Sequence, residues 1–430
     1  MSSPAEFPEV KATLAIKRRG LTLFLLTVAY FFSYMDRSIL AILQEAIIKD
    51  LHVSDFAMGI IGGTAFAIFY AGLGLPVARL ADRLNRVKII AIALAVWSGF
   101  TALGGLATNF WQLLGARIGV GIGEAGSSPP SHSIIADLYP PEKRTSAMAI
   151  YSLGVGLGAA MGTVLGGTVL HFYGWRMALY VVGLPGLLLA AIIWAVVPEP
   201  KRGLSDAQIA MDDGRPGFLD CVRGLLANRA TLHLIMGFTL TSMIGYGHAQ
   251  FGPSYLQRSF HFGPLDIAWK VAPAAALVII AGTVFSGRLA DRLARRRGLY
   301  AQSTMVAILK TCALPTMILF YATSNVTVAV CAYMAALFFG SCYLGPTFSL
   351  IQGQAPVKQR AMWSAIALLV NNLIGLGLGP ALVGGVSTLL KPIYGAESLR
   401  YSMFIFAAIT PWAIFHYWRA GIWLRRQAQA

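Results

Sequence analysis

Charge is what this chain has least of. Only 12% of its 430 residues are Asp, Glu, Lys or Arg, about half of what a soluble protein carries, while 57% are hydrophobic. That balance excludes a soluble globular domain. Alternating short strands separated by turns are missing too, which excludes a transmembrane barrel. What recurs instead is the apolar run of roughly 20 residues that a bilayer-spanning helix needs, so the expected class is an all-α polytopic membrane protein. Cysteine is scarce: Cys221, Cys312, Cys331 and Cys342 have no paired spacing for a metal site or a disulfide frame. Within the apolar runs there is no metal-ligand cluster and no nucleophile–base pair, so no metal, cofactor or enzymatic activity is expected. A cleaved leader is not expected either. The polar stretch ending at Lys17-Arg18-Arg19 runs into an apolar segment too long for a signal-peptide core, and that segment contains Asp36-Arg37.

Counting apolar runs between turn signals predicts twelve spans, at about 20–47, 55–79, 87–108, 110–138, 145–170, 175–197, 230–257, 266–288, 299–323, 326–353, 361–389 and 399–423. Of the 34 Lys and Arg, 25 fall on one side of these spans, 6 on the other and 3 (Arg37, Arg117 and Lys310) inside them. By the positive-inside rule both termini are cytoplasmic, in the cell (inner) membrane. The net charge of +16 is then a topology signal, and a nucleic-acid partner is excluded for want of a basic face on a soluble domain.

The longest polar stretch splits the chain into an expected six-helix bundle at 1–197, a cytoplasmic linker at 198–228 and a second bundle at 229–430. Across the linker the sequence repeats itself. Arg79-Leu80-Ala81-Asp82-Arg83-Leu84 recurs letter for letter as Arg288-Leu289-Ala290-Asp291-Arg292-Leu293, each at the cytoplasmic exit of its half's second span. Two parallel repeats imply a pseudo-twofold axis along the membrane normal and a substrate site between the halves, the architecture of a carrier. Gly154, Gly158, Gly162 and Gly166, and Gly115, Gly119 and Gly123, recur every four residues, the interval that lets membrane helices approach closely. Gly121-Ile122-Gly123-Glu124-Ala125-Gly126 matches a dinucleotide fingerprint in letters only, since no strand precedes it.

Chemistry is expected where ionisable residues sit in hydrocarbon. Arg117 and Glu124, seven residues apart, share a helix face at a rise of roughly 10 Å. Asp36 and Arg37 point about 100° apart, so at least one needs a partner on another helix, and the fourth span offers both signs. Asp36 and Glu124 are the expected proton-coupling acids. Arg117, with Arg37 and Tyr34, is expected to bind an anionic group; the alternative is a static ion pair that only fixes helix register. Tyr246, His248, Asn371 and Asn372 are further expected substrate contacts in the seventh and eleventh spans. Arg79, Asp82, Arg83, Arg86, Arg288, Asp291 and Arg292 are the expected cytoplasmic gate. Lys310, mid-span in the ninth helix, fits none of these roles.

Over essentially its whole length the chain resembles the major facilitator superfamily. The RLADRL element is similar to that superfamily's loop motif after the second helix, with Ala78 and Asn85 where glycines are usual. Asp36-Arg37, the Arg117 to Ala125 stretch and Ile135-Ala136-Asp137-Leu138-Tyr139 resemble the spinster branch. That resemblance implies proton-coupled movement of amphiphilic lipids, such as sphingosine-1-phosphate and lysophospholipids, with Asp36, Arg117 and Glu124 as cavity residues. The Gly-Glu-Ala core is shared with organic anion symporters of the superfamily, so a proton symporter for small organic anions is the alternative, and a non-transporting substrate sensor a third. A monomer surrounded by membrane lipids is expected, its partners being protons and a lipid or organic-anion substrate.

Overall fold

The computed structural model describes residues 15–204, 217–356 and 359–429. Lys11, Arg215, Lys358 and the centre of the predicted linker lie outside them. Among the described residues there is no strand. Helix starts are set by short polar caps: Asn85, Asn109, Asn228 and Asn325 each accept a hydrogen bond from the backbone N–H three residues on, at 2.8 to 3.1 Å, satisfying donors that a helix leaves open at its first turn.

Eight helical stretches are long and apolar enough to cross a membrane. Two of them, Glu142–Val196 with 55 residues and Met362–Gln429 with 68, are far longer than the roughly 20 a bilayer requires, and each is a pair of spans. The first turns at Gly174 (φ 81°, ψ 171°), where only a residue without Cβ fits comfortably. The second breaks at the short turn Gly395–Glu397. The fourth span is broken into Phe110–Glu124 and Ser128–Leu138, each shorter than those stretches, and the seventh, Arg229–Phe260, is long but less apolar. Together these are twelve transmembrane helices, six on each side of the central segment.

By internal contacts the chain forms two compact units, Met1–Val53 with Ala65–Met211, and Ser54–Thr64 with Asp212–Ala430. In the first unit, the fifth span lies against the first along the predicted glycine row. A Cβ on Gly154 would meet the Thr27 carbonyl at 2.8 Å, one on Gly158 would strike the Phe31 backbone, and one on Gly162 would meet the Met35 carbonyl at 2.5 Å. Gly119 and Gly123 likewise face Phe100 and Trp97 of the third span, whereas Gly115 faces open space. In the second unit Gly379 abuts the Met243 backbone, and Gly375 lies beside Ser242. Residues 54–64 belong to this unit through Asp55. Its buried carboxylate takes both Arg258 Nη atoms, at 2.6 and 2.8 Å, and the Ser387 hydroxyl at 2.6 Å.

Candidate functional site

Within the first unit the four ionisable residues of the first and fourth spans pair crosswise. Arg117 Nη1 donates to Asp36 Oδ2 at 2.9 Å, and Arg37 Nη2 lies 2.6 Å from Glu124 Oε2. The sequential residues Asp36 and Arg37 diverge as their helix positions require, and each finds its opposite charge on the other helix. Helical side chains lean toward the N-terminus of their own helix, which carries Arg37 back along the first span to Glu124. Hydroxyls complete the set. Thr101 of the third span donates to Asp36 Oδ1 at 2.7 Å, and Ser33, one turn before Arg37, donates to Glu124 Oε2 at 2.7 Å.

The two pairs are not equally enclosed. Side-chain exposure is 5% and 2% for Arg117 and Asp36, and 19% and 0% for Arg37 and Glu124. Arg37 is the most accessible of the four. Its guanidinium lies among three rings, 4.9, 4.7 and 4.6 Å from the centroids of Tyr34, Phe66 and Tyr70, a setting that holds a cation by ring quadrupoles once its carboxylate partner is lost. Within these four side chains two polar atoms are buried with no partner among the described residues, Glu124 Oε1 and Arg117 Nε. Buried polar atoms are ordinarily satisfied, so these are open valences of the site. Ser33, Thr101, Phe66 and Tyr70 were not singled out by the sequence. For Ser33 a signal exists in its position one turn from Arg37; for Thr101 there is none.

In the second unit, Tyr246 is exposed and Asn372 half-buried. Asn371 is buried, with its Oδ1 unpaired among the described residues. His248 packs against its own unit: its Nε2 is 3.4 Å from the Met403 carbonyl and its ring lies 5.5 Å from that of Tyr321.

In the two RLADRL elements, Arg79, Asp82, Arg83, Arg288, Asp291 and Arg292 are exposed. Arg86 differs. It is 1% exposed, with Asp137 as an ion-pair partner, Glu199 Oε1 at 2.7 Å, Ser133 Oγ at 2.8 Å and the Pro200 carbonyl at 2.8 Å. Arg202 caps the carbonyls of Ala81 and Leu84, at 2.7 and 2.9 Å, closing the RLADRL helix end. Glu199 is a further functional candidate, marked in sequence only by its place between two prolines after the sixth span.

No group of three or more His, Cys, Asp or Glu that could hold a metal ion occurs among the described residues. What the first unit does offer is two carboxylate–guanidinium pairs inside a helix bundle, on a twelve-helix frame. The comparisons with known proteins agree with that combination. An MFS-type efflux pump of Mycolicibacterium smegmatis is 31% identical over 92% of this chain and 90% of its own length. Protein spinster homolog 1 of Xenopus tropicalis is 26% identical over 88% and 76%, and a D-galactonate transporter of Escherichia coli 25% identical over 87% and 90%. A solved structure of a bacterial homologue of the human lysosomal transporter spinster superposes with a TM-score of 0.86 at 29% identity, covering 95% of this chain and 98% of that one. The family model for the Major Facilitator Superfamily matches residues 26–380. The chain therefore belongs to the Major Facilitator Superfamily and is a spinster-like transporter.

Proposed function

We propose that this transporter is a proton-coupled carrier of an anionic or zwitterionic amphiphile of the lysophospholipid or sphingoid phosphate type, working by alternating access. The observation that carries the reading is the pairing of Arg37 with Glu124. A proton on Glu124 removes the negative charge that holds Arg37 and Ser33, and frees the most accessible guanidinium of the cluster for a phosphate or carboxylate group. Loss of that proton re-forms the ion pair and expels the anion. Asp36 and Arg117, more deeply enclosed, complete the proton-linked set, and the aromatic rings around Arg37 suit a ligand with an apolar body. Asn371, with Tyr34, Tyr246, His248 and Asn372, completes the proposed substrate set, and the exposed RLADRL charges act as the cytoplasmic gate. The protein works as a monomer in the cell membrane with both termini in the cytoplasm.

The test is lysophospholipid transport in proteoliposomes under an imposed pH gradient. Glu124→Gln and Asp36→Asn are expected to lose gradient-driven transport while remaining folded. Full coupled transport in both variants would sink the reading. A second reading, symport of small organic acids, is favoured by the similarity to the D-galactonate transporter, and the ligand screen described in the Discussion separates the two.

A further inference from the structure

Lys310 lies mid-way along the ninth span, Tyr300–Ala322, and is 5% exposed. Its Nζ donates to the Gly340 carbonyl at 2.7 Å and sits 4.5 Å from the centroid of the Tyr343 ring. Among the described residues no carboxylate answers it. Between Asp266 and Glu397 the chain contains a single acid, Asp291, which is exposed at the cytoplasmic end of the eighth span. A buried cation ordinarily demands an ion partner, and this one has a backbone oxygen and a ring face.

Both contacts fall on a break in the tenth span. The helix Val326–Ser341 stops, Cys342 and Tyr343 take non-helical angles (φ −81°, ψ 42° and φ −135°, ψ −31°), and helix resumes at Leu344–Gln354. Gly340 is in the last turn before the break, where carbonyls have lost their helical partners. The Tyr343 hydroxyl pairs with Ser242 Oγ of the seventh span at 3.1 Å. One side chain thus ties the ninth span to both sides of the break, and the break to the seventh.

The titratable groups facing Lys310 are few. The tenth span presents Tyr343 and Cys342, whose Sγ lies 3.2 Å from the Gly282 carbonyl and 3.1 Å from the Phe338 carbonyl. The twelfth presents Tyr417, its hydroxyl paired with Thr347 at 3.0 Å. The eighth presents Gly282 and Ser286 here, its charges beginning at Arg288, and the ninth itself adds the exposed Cys312. Arg400, at the start of the twelfth span, caps the Tyr321 carbonyl at 2.6 Å, at the far end of the ninth span. None supplies a fixed negative charge. Lysine, unlike arginine, can release its proton in such a place, and the neutral amine loses both the charge-assisted hydrogen bond and the attraction to the ring.

We propose that Lys310 is a protonation site of this transporter, separate from the Asp36 and Glu124 cluster, and that its charge holds the break of the tenth span against the ninth. Deprotonation releases Gly340 and Tyr343 and lets the break move. The inference stands on the second unit alone and does not require the substrate or coupling assignment made above.

Hydrogen–deuterium exchange of the purified full chain in detergent, across mildly acidic to alkaline buffers and corrected for intrinsic exchange, tests it. In the wild type, amides around Gly340 to Tyr343 are expected to exchange about tenfold faster at the alkaline end, the scale of one lost charge-assisted hydrogen bond. Lys310→Arg should hold the slow rate at every pH, and Lys310→Met the fast one. Cys342→Ser should keep the wild-type step. A wild-type profile flat after correction overturns the proposal, as does a step that persists in Lys310→Arg, and these two readings decide even if Lys310→Met does not fold.

Discussion

At the scale of single residues, the ion pairs of this protein differ in what their loss would do. Arg117 neutralises a carboxylate that is 1% exposed and that also accepts from Thr101. Breaking a buried pair from one side strands the other charge, at a cost of about 3–5 kcal/mol. Arg117→Met is therefore expected to lower the melting temperature sharply, and Arg117→Met with Asp36→Asn to recover much of the loss; equal melting temperatures for the single and double variants would contradict the pairing. Arg83 and Arg86 give a second contrast. They sit three residues apart in one basic stretch, yet Arg83 is exposed and Arg86 is closed in by Asp137, Glu199, Ser133 and Pro200. Arg83→Ala should stay within about 0.5 kcal/mol of wild type, as exposed substitutions do, while Arg86→Ala should cost several times that, read as detergent-solubilised thermal stability. In the sequence both are basic residues at a cytoplasmic helix end. What separates them is Glu199, more than a hundred residues further on, and only folding brings it there.

At the scale of helices, most of what the structure contains was legible in the sequence, because a bilayer leaves few options. Every backbone polar group must be satisfied inside the span, so a long apolar run is a helix, and the four-residue glycine interval is a packing face. The row from Gly154 to Gly166 does press on the first span, as its spacing implied. Replacing Gly158 by Leu should therefore push that helix pair apart and cost more than the about 1–3 kcal/mol typical of overpacking, because the atoms in the way are Phe31 backbone. The same change at Gly115, which has nothing nearby, should be tolerated; comparable losses at both positions in a thermal-stability assay would refute the packing account. Less legible were the partners. Hydroxyls such as Thr101 are common in spans and often bond back to their own helix, and Thr101 Oγ1 also lies 2.9 Å from the Trp97 carbonyl, so their identity says little about a role. The partner of Lys310 was invisible for another reason: it is a backbone carbonyl, and a sequence does not mark which carbonyl a helix break leaves free.

At the scale of the whole molecule, the repeat copies the frame but not the chemistry. RLADRL occurs in both halves, whereas the buried acid–arginine pairs of the span interiors, Asp36 with Arg117 and Arg37 with Glu124, belong to the first unit. The ligand should accordingly report on first-unit residues. In a thermal-shift screen, lysophospholipids and sphingoid phosphates are expected to stabilise the wild type and to lose most of that effect in Arg37→Ala. Stabilisation by galactonate and related small acids alone would favour the organic-acid reading instead. The substrate class itself is what the sequence leaves least determined, since an arginine beside two tyrosines and one phenylalanine suits many anions with an apolar body.

The turn at Gly174 has a mechanical implication. The fifth and sixth spans are joined there by a single glycine in a conformation that other residues adopt only with strain, so the connection between them is short. The fifth span is in turn seated on the first through its glycine row. A shift of the helix that bears Asp36 and Arg37 is thereby expected to reach the sixth span, where Leu188 is 65% exposed. A probe attached at Leu188 would register events at the buried charges from outside the bundle, without touching them.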